Sequence, residues 1–382
     1  MQSSDIVVIG AGAIGSAVAW RCAQRGLSVV LVDPDPTRGA WHTAAGMLAP
    51  ITELDYTETS LLHLNLDSLA RWPGFAAELA DEAGTSIGVR ECGTVVAAWD
   101  AADLAALRDL HGFARGLGID FALVSGRELR TLEPTLAAGL PGGLHAPEDH
   151  QVDPRLLHHA LHRALAHRGV RVLKGVASLV VERDRVEGVV LDDGTVWSAP
   201  NVVLAAGCWS RTIGGLPTDH APQVRPVKGQ TLRLRLPGGP RINHVVRGLI
   251  KGNRIYLVPR GDGRIVLGAS VEEAGFDVTA RAGAVYELLR DAQSLLPDLS
   301  EAALEEISTG LRPGSPDNAP LVGAAGLDGL IVATGHYRNG ILLTPVTADG
   351  VADLVTAGSV PDVLTPFAPT RFAPAHLHEV LA

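Results

Sequence analysis

Residues 5–33 constrain the fold of this chain more than any other part of its sequence. Residues 6–9 are apolar and rich in β-branched side chains, which is typical of a buried parallel strand. Glycines at positions 10, 12 and 15 then lead into a helix predicted over about 13–24, whose N-terminus can bind a pyrophosphate. A second apolar strand ends at Asp33, whose carboxylate can accept hydrogen bonds from the ribose hydroxyls of an adenosine. The combination predicts an adenine-dinucleotide site, and it does not distinguish FAD from NAD.

Length, charge and cysteine content limit the class of protein. The 382 residues exceed a typical single core, so two domains are expected. A net charge of −10 argues against a nucleic-acid partner, because no basic excess is available for phosphate contacts. Cys22, Cys92 and Cys208 are far apart and odd in number, which fits a reducing cytoplasm without disulfides. We expect neither a signal peptide nor a membrane span, since no run of about 18 apolar residues occurs.

The rest of the chain predicts a mixed α/β protein. Helices are expected over about 60–82, with a break near Pro73, and over 153–167, where Asp153 and Pro154 form an N-terminal signature. Residues 202–207 predict a buried strand that ends in small residues. From residue 222 onward, segments 230–236, 245–249, 254–259 and 264–269 alternate like half-exposed antiparallel strands. A strand, a glycine-rich turn and a helix over about 343–355 then repeat the opening arrangement, so the chain is expected to return to the nucleotide site.

Two histidines on the 153–167 helix raise the possibility of a metal site. His158 and His162 are four residues apart and therefore share a helix face. No carboxylate or third ligand accompanies them, so we interpret them as solvated or locally paired side chains and expect no metal.

Six segments of the chain together resemble the FAD-dependent D-amino-acid oxidase superfamily, and within it the glycine oxidases of thiamine biosynthesis. They span nearly the whole chain and are residues 5–33, 43–50, 203–210, 254–260, 310–313 and 335–345. The resemblance implies a Rossmann-like, discontinuous FAD-binding domain over 1–80, 148–218 and 311–382. It also implies a substrate domain over 81–147 and 219–310, built on a mixed, largely antiparallel β-sheet.

The same resemblance implies FAD as the cofactor and indicates which residues hold it. Because no cysteine occurs between positions 243 and 340, where covalent relatives carry one, we expect non-covalent binding. The cofactor-binding residues implied are Gly10, Gly12, Ala13, Ile14, Gly15, Asp33, Thr43, Ala44, Gly46, Met47, Val176, Ala206, Gly207, Trp209, His336, Arg338, Asn339, Gly340 and Ile341.

Arg312, Tyr256 and Arg338 are the catalytic candidates. Arg312 can clamp a carboxylate at two points, and Tyr256 can donate a phenolic hydrogen bond to the same group. Without the resemblance, the favoured interpretation of Arg312 is pairing with an acid such as Asp317. Arg338 could contact substrate, gate the pocket or brace its loop. His336 is interpreted as structural, and no side-chain base is evident.

The implied reaction is oxidative deamination of a small amino acid, with glycine favoured, by hydride transfer to flavin N5. Reoxidation by O2 gives H2O2, and the imine or glyoxylate product supplies thiamine thiazole synthesis. Three alternatives stay open: a D-amino-acid dehydrogenase with a quinone acceptor, a sarcosine oxidase-like enzyme, and a non-catalytic flavin-binding redox sensor. Arg254 departs from the residues of some relatives, which leaves the substrate range open. By resemblance, a homotetramer is expected.

Overall fold

The structure is a computed structural model that describes residues 2–238 and 242–372. The strands in this part of the chain are β1 (Gln2–Ser3), β2 (Ile6–Ile9), β3 (Val29–Asp33), β4 (Met47–Leu48), β5 (Thr94–Ala98), β6 (Ala122–Ser125), β7 (Gly142–Ala146), β8 (His150–Gln151), β9 (Arg171–Lys174), β10 (Ala177–Glu182), β11 (Arg185–Leu191), β12 (Val196–Ser198), β13 (Asn201–Leu204), β14 (Arg225–Arg235), β15 (Val245–Ile250), β16 (Asn253–Pro259), β17 (Arg264–Gly268), β18 (Ala303–Gly314), β19 (Leu321–Ala324) and β20 (Leu330–Thr334). The α-helices are α1 (Ala13–Gln24), α2 (Ala40–Thr43), α3 (Thr59–Ala83), α4 (Ala101–Gly116), α5 (Gly126–Leu132), α6 (Pro154–His167), α7 (Ala282–Leu295) and α8 (Thr344–Ala357).

A six-stranded sheet in the order β19-β20-β13-β2-β3-β9 carries the opening stretch. All its strand pairs are parallel except β19–β20. Ile6 and Val8 face a core shared with α1, α3, α6 and α8, whereas Val7 and Ile9 face the smaller sheet β1-β12-β11-β10. Burial on both faces is the reason that β2 reads as an unbroken apolar run.

A second sheet of eight strands has the order β18-β14-β17-β16-β15-β5-β7-β6. Its pairs are antiparallel except the parallel pair β15–β5, so the mixed, largely antiparallel sheet expected from the sequence is confirmed. One face packs against α7, through a core that includes Leu257, Leu267 and Leu295. The opposite face packs against residues 45–54 and α4 and carries the candidate catalytic residues.

The two large sheets are interleaved along the chain. Strands of the six-stranded sheet come from residues 6–33, 171–204 and 321–334, and those of the eight-stranded sheet from 94–146 and 225–314. The domain boundaries expected from the sequence stay a prediction. Strand β18 runs across the expected boundary after residue 310, and residues 373–382 of the last FAD-domain segment lie outside the described residues.

The helix predicted over about 60–82 was expected to break near Pro73, and this prediction is wrong. Helix α3 runs without interruption from Thr59 to Ala83 and contains Pro73. Tertiary packing outweighs the proline penalty, because Phe75 is buried in the core and the indole Nε1 of Trp72 donates to Leu342 O at 2.9 Å. None of the helices in the described part of the chain combines the length and apolar character needed to cross a membrane.

Candidate active site

The predicted cofactor residues converge at the carboxyl ends of five neighbouring strands, β20, β13, β2, β3 and β9. Gly10 follows β2 with φ of 107°, and a Cβ atom there would lie 2.4 Å from the carbonyl oxygen of Ala205. A Cβ at Gly15 would lie 1.9 Å from the carbonyl oxygen of Gly10. These two glycines therefore allow the helix and the neighbouring strand end to approach β2 closely. In open α/β sheets, ligands bind at this edge.

Gly12 has a different surrounding from Gly10 and Gly15. It is the N-cap of α1, no side chain caps the helix, and no acidic residue lies in the first turn. Among the residues that the structure describes, a Cβ at Gly12 would meet only Trp41 Cδ1, at 3.7 Å. The N–H groups of the first turn, which include those of Ala13 and Ile14, thus stand at an uncapped helix N-terminus next to open space. This arrangement fits the pyrophosphate of a dinucleotide.

Asp33 and Val176 lie at the same edge, farther from α1. The Asp33 carboxylate accepts hydrogen bonds from the backbone N–H of Ala11 at 2.7 Å and of Asp35 at 2.8 Å. Lys174 is opposite Asp33 and is the last residue of β9, so Val176 lies two residues beyond the end of that strand. Val176 is 52% exposed. An exposed apolar side chain beside a carboxylate fits an adenosine whose ring covers the valine.

His158 and His162 of α6 contact the glycine-containing loop between β2 and α1. His158 is buried, stacks on Trp41 with ring centroids 3.7 Å apart, and its Nε2 lies 2.9 Å from Ala11 O. Burial lowers the pKa of His158 to about 3, and the nearby His162 adds to the shift, so the ring is neutral at pH 7. Among residues 2–238 and 242–372, no group of three or more potential ligands is placed to hold a metal ion.

The segment after β13 is hydrogen-bonded to the end of β20, which leads into the loop over residues 335–341. Ala206 and Gly207 follow β13, and Thr334 Oγ1 at the end of β20 donates to Gly207 O at 2.9 Å. Trp209, which the resemblance implicated in cofactor binding, lies farther out. It is 47% exposed, and its ring centroid is 5.8 Å from that of Phe276. Its cofactor role stays a prediction.

Residues 43–47 connect the two sheets. Thr43 O accepts from Thr231 Oγ1 of β14 at 3.0 Å, and Gly46 has φ of 73°. Ala45 O accepts a hydrogen bond from Nη2 of the buried Arg260. Ala44 and Met47 flank this anchored part, and Met47 packs in one apolar cluster with Ala45 and Tyr256. The segment predicted to line the flavin thus contacts the strand that carries Tyr256.

Three glycines lie on one face of the eight-stranded sheet where it contacts residues 43–47, and the surface is lower there because they have no side chains. Gly229 and Gly310 are opposite each other on β14 and β18, and Gly268 on β17 is opposite Tyr256. Residues directly opposite each other, and residues two apart, share a sheet face. A Cβ at Gly229 would lie 2.4 Å from Arg312 Nη1, and one at Gly268 would lie 2.3 Å from Tyr256 Oη. Gly229 and Gly268 make room for the two catalytic candidates, whereas Gly310 makes room for Thr43.

Arg312 lies flat over β14 with one edge free. Its Nη1 is 3.2 Å from Ser270 O and 3.4 Å from Lys228 O, and neither Nη2 nor Nε bonds any residue that the structure describes. Asp317, the alternative partner considered from the sequence, pairs with Arg371 at 2.8 Å instead. Two N–H groups in the fixed geometry of a guanidinium can bind a carboxylate at two points.

Tyr256 supplies a protonated hydroxyl next to this guanidinium. Burial raises the pKa of Tyr256 above its ordinary value, and the positive charge of Arg312 opposes that shift without cancelling it. The phenol therefore stays a hydrogen-bond donor at pH 7. Arg312 and Tyr256 share a sheet face, because both point over the lowered surface made by Gly229 and Gly268.

Arg338 belongs to the loop after β20 and is held by two carboxylates. Its Nε lies 2.9 Å from Glu53, and its Nη2 lies 2.6 Å from Glu58. The loop is next to Arg312, since the N–H of Tyr337 donates to Pro313 O at 2.9 Å. Asn339, Gly340 and Ile341 continue the loop into α8.

His336 of the same loop is not available as a base. It is buried, its Nε2 lies 3.0 Å from Thr347 Oγ1, and burial lowers its pKa to about 3. The interpretation of His336 as structural agrees with this placement.

Sequence reasoning did not identify Glu53 and Arg247 as parts of the site. Glu53 bonds Arg247 Nη1 at 2.5 Å as well as Arg338, and Arg247 is directly opposite Tyr256. Burial raises the pKa of Glu53, but Arg247 and Arg338 outweigh it and the net pKa is lowered, so Glu53 is ionised. No local pattern marks such a pair, because the partners are far apart in the sequence.

Comparison with known proteins identifies the dinucleotide. A family model described as FAD dependent oxidoreductase, DAO, matches residues 5–354. The chain belongs to the DAO family of FAD-dependent oxidoreductases. Membership of the DAO family identifies the adenine dinucleotide as FAD, a choice that the glycines alone left open.

Named DAO-family relatives resemble the chain over nearly its full length. The bifunctional protein ThiO/ThiG of Synechocystis is 34% identical over 97% of the chain, which spans only 54% of that relative. The crystal structure of glycine oxidase from Geobacillus kaustophilus superposes with a TM-score of 0.87 at 34% identity, covering 97% of this chain and 99% of that one. The crystal structure of iminodiacetate oxidase from Chelativorans sp. superposes with a TM-score of 0.85 at 26% identity, covering 95% of this chain and 98% of that one.

Replacing Gly229 by alanine tests how the glycine positions Arg312. The new methyl group displaces only the end of a flexible side chain, so we expect normal folding and FAD content. We expect kcat/KM for the amino-acid substrate to fall about 10- to 100-fold, because a displacement of about 1 Å is costly in a positioned site. Steady-state kinetics and flavin absorbance measure both quantities.

Gly261→Ala is the matched control on the same sheet, since no non-neighbouring atom of the described part of the chain lies within 4 Å of a Cβ at that hairpin position. A kcat/KM for Gly229→Ala equal to that of the control would show that the guanidinium does not depend on this glycine.

Proposed function

We propose that the protein catalyses FAD-dependent oxidative deamination of a small amino acid, with glycine as the preferred substrate. The proposal adds a substrate and residue roles to the family membership. Relatives named glycine oxidase support the choice of glycine. The chemistry is assigned to Arg312 and Tyr256, and Arg338 is assigned the bracing of the loop after β20 through Glu53 and Glu58.

The observation that carries the proposal is the charge balance of the arginines around Tyr256. Arg247, Arg254 and Arg338 each have a carboxylate partner within 4 Å, whereas Arg312 has none among the residues that the structure describes. A half-buried guanidinium without a counter-ion is a site for one anionic group of a ligand. An α-amino acid supplies one such group, its carboxylate.

Positioning accounts for the catalytic role of the protein side chains. Arg312 holds the substrate carboxylate through its free edge, and Tyr256 donates its hydroxyl hydrogen to the same carboxylate. These two contacts fix the Cα–H bond relative to residues 43–47, which line the flavin. No side-chain base takes part, because His336 is neutral, buried and bonded to Thr347. Holding reacting atoms in position in this way can supply much of the barrier reduction.

Bound FAD supplies the acceptor for the two electrons and the hydrogen that leave the substrate carbon. The carbon–nitrogen single bond becomes an imine, which water hydrolyses to an oxo acid and ammonia. With glycine the oxo acid is glyoxylate. The uncapped N-terminus of α1 and the carboxylate of Asp33 hold the pyrophosphate and the ribose.

The electron acceptor, the mode of FAD binding, the oligomeric state and the cellular location are the remaining parts of the proposal. We propose that O2 reoxidises the cofactor to give H2O2, that FAD is bound non-covalently, and that the enzyme is a cytoplasmic homotetramer. The bifunctional ThiO/ThiG relatives support a role of the product in thiamine thiazole synthesis.

Anaerobic reduction followed by air tests the function directly. The purified holoenzyme is mixed with glycine, sarcosine, D-alanine or D-proline, and flavin absorbance is followed before and after O2 is admitted. Bleaching by glycine and rapid recovery with release of H2O2 are expected. Precipitation with acid should release FAD into the supernatant, and light scattering reports the oligomeric state.

Each alternative has its own outcome in this experiment. Bleaching by D-alanine with slow recovery in air, and fast recovery with a quinone, would identify a dehydrogenase. A higher kcat/KM for sarcosine than for glycine would identify a sarcosine oxidase-like enzyme. A flavin that no small amine bleaches would contradict the proposed reaction and favour the redox sensor.

A further inference from the structure

A short acidic segment, residues 53–58, lies between β4 and α3 and carries three carboxylates. Its base is fixed by the buried Asp149, whose carboxylate accepts from the N–H of Ile51 at 3.1 Å and from the N–H and hydroxyl of Thr52 at 2.7 Å. The carboxylates belong to Glu53, Asp55 and Glu58. Because the base is anchored, their positions are set by the fold rather than by a freely moving loop.

The carboxylates of the acidic segment pair with three arginines from elsewhere in the chain. Glu53 bonds Arg247 at 2.5 Å and Arg338 at 2.9 Å, and Glu58 bonds Arg338 at 2.6 Å. Asp55 lies 3.9 Å from Arg254. Glu53 is therefore the one member of the segment that joins the eight-stranded sheet to the loop after β20.

Glu53 is close enough to the catalytic candidates to influence their charge. Its negative charge contributes to the raised pKa of Tyr256, whereas Arg312 and Arg247 act in the opposite direction. The side chains of Glu53 and Arg247 are only 12% and 9% exposed, so salt and water screen their charges weakly. Two strand spacings, about 10 Å, separate β15 of Arg247 from β17 of Gly268, over which Tyr256 lies.

We propose that Glu53 sets the number of carboxylates that the site accepts. By neutralising Arg247 and Arg338, it leaves Arg312 as the arginine that can bind a substrate anion, and it repels a second anionic group. The site is thereby selective for amino acids with a single carboxylate over dicarboxylic amino acids. This inference rests on the proposed function, since it concerns the substrate range of the same site.

The physical basis is a difference between two affinities. An amino acid with one carboxylate satisfies Arg312 and leaves the Glu53 pairs intact. A dicarboxylic substrate brings its second carboxylate towards arginines that Glu53 already occupies, so it meets a like charge and gains no free donor. Unfavourable charge of this kind is an effective source of specificity. With a neutral amide at position 53, Arg247 and one edge of Arg338 become free donors.

Glu53→Gln tests the proposal in the holoenzyme with matched substrates. Sarcosine and iminodiacetate differ by one carboxylate on the nitrogen substituent, and D-alanine and D-aspartate differ by one on the carbon substituent. We expect the ratio of kcat/KM for the dicarboxylate to that for the monocarboxylate to rise about 10- to 100-fold in at least one pair. A change below threefold in both pairs would overturn the proposal.

Asp349→Asn is the matched control. Asp349 also pairs with two arginines, Arg21 at 2.9 Å and Arg71 at 3.1 Å. It lies on α8 among helices rather than beside the eight-stranded sheet. The selectivity ratio should be unchanged in this variant. An equal shift in Asp349→Asn would show that the effect is not local to Glu53 and would also overturn the proposal.

A binding measurement separates this inference from the proposed function. The dissociation constants of acetate and malonate, measured from the perturbation of flavin absorbance, do not depend on turnover. If no amine bleaches the wild-type flavin, the proposed function fails, while a lower malonate-to-acetate ratio in Glu53→Gln still supports the role of Glu53. If Glu53→Gln does not retain FAD, Glu58→Gln, which removes one carboxylate from Arg338 alone, should shift the same ratio in the same direction by a smaller factor. An unchanged ratio there overturns the proposal.

Discussion

Arg312→Ala is expected to lower kcat/KM for the amino-acid substrate by about 1,000-fold, while FAD stays bound. The substrate carboxylate loses a two-point, charge-assisted contact in a partly buried site, which is worth roughly 4 kcal/mol. The folded protein loses little, because within the described part of the chain Arg312 bonds only two backbone carbonyls, at 3.2 and 3.4 Å. The kcat/KM of Arg312→Lys should lie between those of the wild type and Arg312→Ala, since lysine keeps the charge but loses the fixed fork of donors.

Steady-state kinetics, flavin content and thermal unfolding together check this result. Arg290→Ala serves as the control, because Arg290 lies on α7 on the other side of the sheet and pairs with Asp291 at 2.8 Å. A kcat/KM within fivefold of wild type in Arg312→Ala would mean that another group holds the substrate carboxylate. The proposed substrate class would then lose its main support.

Two glycines of the opening stretch should respond differently to alanine. In Gly12→Ala we expect FAD affinity to fall at least about 100-fold, because the methyl group occupies space that the pyrophosphate must approach. The apoprotein should lose no more than about 1 kcal/mol, since the nearest non-neighbouring atom of the described residues, Trp41 Cδ1, lies 3.7 Å from that methyl group. In Gly15→Ala both quantities should suffer, because its Cβ would lie 1.9 Å from the backbone oxygen of Gly10.

Denaturant unfolding of the apoproteins and fluorescence titration with FAD separate the two effects. Gly112→Ala on α4 is the control, because no non-neighbouring atom of residues 2–238 and 242–372 outside the helix's own backbone lies within 4 Å of that Cβ. It should lower neither FAD affinity nor stability. Wild-type FAD affinity in Gly12→Ala would contradict the assignment of the helix N-terminus as the pyrophosphate site.

The nucleotide half of the fold was predictable because its signals are local. The apolar run, the three glycines and the acidic strand end lie within 29 consecutive residues, and each follows from backbone geometry or burial. The alternating strands from residue 225 onward were predictable for the same reason. The order of strands was not, since β5 and β15 pair across about 150 residues and no local pattern records such pairing.

The site was predictable in part. Arg312 and Tyr256 followed from the resemblance, while the glycines beneath them were visible in the sequence but not interpreted. Glycine inside a strand indicates a close approach by another group, and Gly229 and Gly310 both interrupt long strand patterns. Which group approaches could not be read from the chain, because the side chains that cover these glycines come from other strands and from α2.

The two carboxylates that hold Arg338 illustrate a further limit. Glu53 and Glu58 precede Arg338 by about 280 residues, and their pairing depends on how the two sheets meet. Sequence reasoning left contact with substrate, gating of the pocket and bracing of the loop open for Arg338. The observed ion pairs favour bracing and leave carboxylate binding to Arg312.

The interleaving of the two sheets has a consequence for the synthesis of the chain. Strand β2 needs β13 as a neighbour, and β13 in turn needs β20, so the nucleotide sheet is complete only when residue 334 has been made. At about 5–20 residues per second, roughly 15–60 s pass between the emergence of β3 and that of β20. At the same rate β13, the partner of the apolar edge of β2, emerges roughly 9–34 s after β3. The candidate cofactor site also includes the loop after β20, so it is among the last parts of the nascent chain to form.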